Sequence, residues 1–96
     1  MNIIYDLDII CKKENRGHVH AMLRKTYESN LIPSAGMLFE DSAWREPREP
    51  LTITCNFEEG YYLLRFDVIE MPDRGSAEQE EKMYRSHGWR KPGEDQ

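Results

Sequence analysis

Two runs of alternating apolar and polar residues, separated by Glu59-Gly60, constrain this chain more than any other feature. Leu51, Ile53, Cys55 and Phe57 alternate with Thr52, Thr54, Asn56 and Glu58. Tyr62, Leu64, Phe66 and Val68 then alternate with Tyr61, Leu63, Arg65 and Asp67. A period of two sends each apolar set to one face of an extended strand. With Glu59-Gly60 as a two-residue turn, the glycine supplying positive φ, Phe57 faces Tyr62, Cys55 faces Leu64, Ile53 faces Phe66 and Leu51 faces Val68. A slip of one residue would put the two apolar sets on opposite faces, so the pattern selects this pairing.

Other segments fall into place around that hairpin. In residues 2–12, Ile3, Tyr5, Leu7, Ile9 and Cys11 are apolar at period two and predict a strand, with Ile4, Asp6, Asp8 and Ile10 on its other face. Residues 15–29 predict a helix: Asn15 can cap it, Val19, Met22, Leu23, Thr26 and Tyr27 form a stripe, and Asn30 and Pro33 end it. Residues 35–40 form a short apolar run expected to be a second strand, and residues 41–50 form a polar connector. Near the C-terminus Ser76-Ala77-Glu78-Gln79 resembles a capping box, Met83 and Tyr84 supply apolar contacts, and Gly88 is placed as a stop. The expected fold is α+β: a four-stranded, mainly antiparallel sheet in the order strand, helix, strand, strand, strand, helix. The first helix covers the core face, and the second lies C-terminal.

Composition sets the size of that core. Residues 1–71 hold 33 of the 37 hydrophobic positions among 96 residues, and residues 72–96 hold only Ala77, Met83, Tyr84 and Trp89. The expectation is a 1–71 core with a polar helix and tail at 72–96 in one domain. A chain this short buries roughly 60 % of its unfolded surface, which excludes a multidomain enzyme or a dinucleotide-binding domain. No run reaches a membrane-spanning length, and no basic region precedes the apolar start, so the chain reads as cytoplasmic with no membrane partner. A net charge of −5 argues against nucleic acid, whose phosphates demand clustered Lys and Arg. The helix–three-strand–helix order from residue 15 is also that of double-stranded-RNA-binding domains. Here, however, the last helix opens Glu78-Gln79-Glu80-Glu81, the wrong sign for that surface.

No motif fixes a chemistry. Cys11 and Cys55 lack metal-ligand spacing and read as free, buried thiols. His18 and His20 diverge on the expected helix, so neither a metal nor any other cofactor is expected. The glycines do not assemble a phosphate-binding loop. No catalytic residue is assigned.

Two features carry more weight. Parity puts Asp6, Asp8, Arg65 and Asp67 on the outer sheet face, a charge cluster whose plainer reading is a solvated face with weak ion pairs. The same face carries Ile4, Ile10, Tyr61, Leu63 and Ile69, too much apolar surface to leave open. Either the second helix or another subunit should cover it. In addition, Trp44-Arg45-Glu46-Pro47 and Trp89-Arg90-Lys91-Pro92 share a pattern outside the core periodicity. They read either as exposed anchors for a partner or as rings folded back onto the sheet. These observations point to a non-catalytic interaction module (an inhibitor, immunity-type protein or accessory subunit) working as a homodimer or with a protein partner. Its contact residues would be Ile4, Ile10, Tyr61, Leu63, Ile69, Trp44, Arg45 and Trp89. The competing expectation is a small-molecule-binding protein or simple enzyme using Asp6, Asp8, Asp67, Arg65, His18 and Tyr27.

Overall fold

The computed structural model describes residues 1–12 and 19–94. Its elements are strands β1 (Asn2–Cys11), β2 (Val19–Glu28), β3 (Thr52–Asn56), β4 (Tyr61–Arg65) and β5 (Ile69–Met71), followed by helix α1 (Arg74–Ser86). The fold is α+β, a five-stranded mixed sheet with one helix among the described residues. The strand order is β2-β1-β4-β3, with β5 also paired to β1.

β1 is the central strand, and its partners explain the largest departure from the sequence reading. Val19–Glu28 is a strand antiparallel to β1, with Leu7 opposite Leu23 and Asp6 opposite Arg24. Part of the stripe assigned to a helix also fits period two: Leu23 and Tyr27 share the core face with Ala21, while Met22 and Thr26 turn to the other face. A buried ten-residue central strand must have its backbone N–H and C=O groups paired on both sides. That long-range demand overrides the local pattern. The expected cap Asn15 and His18 lie outside the described residues.

The other side of β1 is divided. Ile3–Asp6 pair with Tyr62–Arg65 of β4 in parallel, and Ile9–Cys11 pair with β5, also in parallel. The expected mainly antiparallel, four-stranded sheet gives way to this mixed five-stranded one because residues 29–51 cross the core face to the far edge before β3 begins. Residues 35–40 are not a strand. They contribute a single bridge, in which Phe39 and Arg48 exchange two backbone hydrogen bonds of 2.8 Å. That bridge closes the loop carrying Asp41, Trp44 and Arg45.

The β3–β4 hairpin forms with its apolar faces as expected and its register displaced by two. Ile53 faces Leu64 and Cys55 faces Tyr62, and the loop is residues 57–60. Asn56 builds this longer turn: its side-chain Oδ1 accepts from the Glu59 N–H at 2.9 Å, and its carbonyl accepts from the Gly60 N–H at 2.9 Å. Gly60 sits at φ 77°. A two-residue shift preserves parity, so both apolar faces survive. The cost falls at the ends, where Phe57 and Leu51 lose their expected partners and stand 84 % and 64 % exposed.

α1 confirms the C-terminal helix and corrects its start and its position. Asp73, rather than Ser76, is the N-cap, its carboxylate accepting from the Ser76 N–H at 2.8 Å. Gly88, at φ 95°, follows the C-cap His87. The helix covers the core face, the place expected for the first helix, whose described residues 19–28 are strand β2. Ala77, Tyr84 and Trp89 join Ile3, Tyr5, Leu7, Ile9, Leu23, Leu64 and Phe66 in one core. Beyond the helix, Arg90 bridges Arg24 in two backbone hydrogen bonds and so protects the outer edge of β2.

Candidate interaction surface

With α1 on the core side, no element of the described residues lies over the opposite face of the sheet. Ile4, Ile10, Tyr61 and Leu63 are there as expected, each partly exposed, and β2 adds the exposed Met22. Ile4 stands in a row between Thr26 and Leu63, with Thr54 beyond. Ile69 is the exception and corrects the sequence reading. The β4 pairing matches residue 61 with residue 2, whereas the β5 pairing matches 69 with 9, so the chain gains one residue against β1 between them. One extra residue flips parity. Ile69 therefore turns to the core, and Asp67 is left exposed with its carboxylate accepting from the Val68 N–H at 2.8 Å.

The charged cluster forms on this face in altered membership. Arg24 donates two hydrogen bonds to Asp6, at 2.7 and 2.9 Å, and Arg65 donates to Asp8 at 2.6 Å while standing 4.0 Å from Asp6. Asp6 and Asp8 are thus held beneath two arginines that stay more than a third exposed. Asp67 does not take part. Arg24, whose guanidinium is held in its charged form chiefly by the hydrogen bond to Asp6, was hidden in the sequence by the helical assignment of its segment. The alternation Ala21, Leu23, Tyr27 was the signal that could have revealed it. The Oδ1 atom of Asp8 is buried without a hydrogen-bond partner among the described residues.

Tyr27 lies on the other side of the sheet, in a network with no local sequence signal. The fully buried Asp41 carboxylate accepts from the Tyr27 hydroxyl, from Lys25 Nζ at 2.9 Å, from the Trp89 indole N–H at 2.9 Å and from the Ala43 N–H at 2.9 Å. Burial opposes its ionisation. The hydrogen bonds from Tyr27, Trp89, Lys25 and Ala43 outweigh that and hold the carboxyl below its ordinary range. Burial and the bond to Asp41 push the Tyr27 hydroxyl up in turn.

Both tryptophans fold inward, the structural alternative of the sequence reading. Trp89 is fully buried, edge-on to Tyr84 at 5.1 Å, which removes its ring from any partner's reach. Trp44 stacks on Tyr5 at 5.5 Å, donates its indole N–H to the Tyr84 hydroxyl at 2.9 Å and lies beneath the Arg48 guanidinium. It borders, with the exposed Arg45 and the half-buried Arg48, Glu80 and Met83, an open groove of about 700 Å³ between the connector and α1.

Cys11 is buried and Cys55 half-buried, and no disulfide joins them. No helix among the described residues is long and apolar enough to cross a membrane. No family model matches the chain, and no curated protein or solved structure shows significant similarity to it.

Proposed function

We propose that this protein is a non-catalytic protein-interaction module, of the inhibitor, immunity-type or accessory-subunit kind, that docks a protein partner on the open face of its sheet. One observation carries the reading: the one described helix packs, through Ala77 and Tyr84, on the face that already has Trp44 and Trp89, while Ile4, Ile10, Met22 and Leu63 face outward with no element of the described residues above them. Apolar side chains beside a fixed row of two acids and two arginines give a partner both burial and a charge register to match. The net charge of −5 favours encounter with a basic partner. The ligand-binding alternative draws no comparable support, since Asp6, Asp8 and Arg65 lie on one face of the sheet, Tyr27 on the other, and Asp67 apart.

The test substitutes Met22→Lys and Leu63→Lys together, because lysine keeps its stem along the sheet while placing a charge on the face. Tagged wild-type protein retains a stoichiometric partner from the lysate of its source cells. The double variant, folded by circular dichroism, loses it. Retention of the same partner by the variant, or of none by the wild type, overturns the reading.

A further inference from the structure

We propose that the free edge of β3 pairs with β3 of a second copy of this chain, antiparallel about a two-fold axis through Thr54. This pairing concerns the edge of the sheet and does not rest on the docking role of its face.

A sheet edge presents unpaired backbone N–H and C=O groups, and proteins normally guard it with charge, proline or a covering segment. The edge of β2 is guarded: Arg90 bridges it, and Arg24 and Lys25 lie on the strand. At the opposite end of the sheet order, β3 has no such guard. Residues 51–57, Leu-Thr-Ile-Thr-Cys-Asn-Phe, contain neither a charge nor a proline. Among the described residues no backbone hydrogen bond reaches Thr52–Cys55 from outside the hairpin. The 33–36 loop stands beside Leu51–Ile53 across an open groove of about 400 Å³ and leaves Thr52 and Thr54 exposed.

The sequence of this edge is complementary to itself in one register. With Thr54 opposite Thr54 of the second copy, Ile53 meets Cys55, Thr52 meets Asn56 and Leu51 meets Phe57. The two most exposed apolar side chains of the segment, Phe57 at 84 % and Leu51 at 64 %, therefore cover one another at both ends of the pairing. Pro50 on one side and Glu58 in the turn on the other end the pairable stretch, and Glu49 and Glu59 lie beyond it. Isologous contact of this kind closes on itself and yields a dimer. The two sheets become one continuous sheet whose open faces lie side by side.

Residue 54 meets only itself in this register, which makes the proposal testable by charge. Light scattering on the full chain over micromolar to millimolar concentration should approach twice the 11.4 kDa of one chain. Thr54→Lys and Thr54→Glu, each at an exposed position, should remain monomeric over the same range with unchanged circular dichroism. Mixing the two should restore the dimer, now as a heterodimer. Should either variant fail to fold, Phe57→Ser replaces it and is expected to weaken association at least tenfold. A wild-type monomer throughout, or a dimer indifferent to these edge changes, overturns the proposal. A dimer dispersed by Met22→Lys with Leu63→Lys but not by Thr54→Lys also overturns it, and would place the second copy on the open face instead.

Discussion

The Asp41 carboxylate and the Trp89 indole meet at 2.9 Å across 48 residues of sequence, and that bond ties the connector to the C-terminal tail inside the core. Lys25 adds β2 to the same carboxylate, so three chain segments converge on one buried charge. Removing one partner from such a group leaves the other uncompensated. Asp41→Ala should therefore cost about 3–5 kcal/mol in urea unfolding. Replacing Asp41 by Leu and Lys25 by Met together should cost less than the single change, since neither charge is then left alone. A single Asp41→Ala loss below about 1 kcal/mol would show the network to be solvated.

Stability should fall at both ends of the pH scale, through different groups. The folded carboxyl of Asp41 lies below its unfolded value of 3.8, so its contribution is present above that pH and is lost as pH drops further. Tyr27 and Tyr5 have folded values raised above their unfolded 10.0, chiefly by burial. Their contribution is full below pH 10 and is lost as pH rises beyond it. Denaturant midpoints measured across pH should form a plateau between these limits. Tyr27→Phe should soften the alkaline fall. An unchanged alkaline limb would remove Tyr27 from the account.

On the open face, Arg24 and Asp6 form a two-pronged ion pair that water still reaches. A double-mutant cycle between Arg24→Ala and Asp6→Ala should give a coupling of about 1 kcal/mol. Salt should reduce it, because the arginine is exposed enough to be screened. A coupling that molar salt leaves intact would mean that another layer covers the face in solution.

Two glycines should respond to alanine with opposite signs. Gly60 holds φ 77° in the hairpin loop with open space around it, so Gly60→Ala should cost about 1 kcal/mol through backbone strain alone. Gly75 lies in the first turn of α1, where an added methyl meets Asp73 Oδ1 at an ordinary 3.6 Å. Gly75→Ala should raise stability by roughly 0.5–1 kcal/mol, because alanine has less backbone freedom to lose on entering the helix. Thermal unfolding of the two variants distinguishes these directions.

What the sequence determined by itself was whatever depends on neighbours in the chain. Period two in residues 2–11 and 51–66 fixed which side chains of β1, β3 and β4 share a face. Gly88 marked the end of α1, and the cluster of Asp6, Asp8 and Arg65 followed from parity. Only the tertiary structure decided what depends on distant partners. Residues 19–28 satisfy helical and extended patterns alike, and the unpaired edge of β1 chose between them. Asn56 lengthened the hairpin loop by two residues without disturbing its faces, while one extra residue before β5 turned Ile69 inward. Asp41 had no signal at all, because Tyr27, Lys25 and Trp89 reach it from 14 to 48 residues away. Local periodicity encodes which way a side chain points, and the pairing of backbone groups across the sheet determines what it meets.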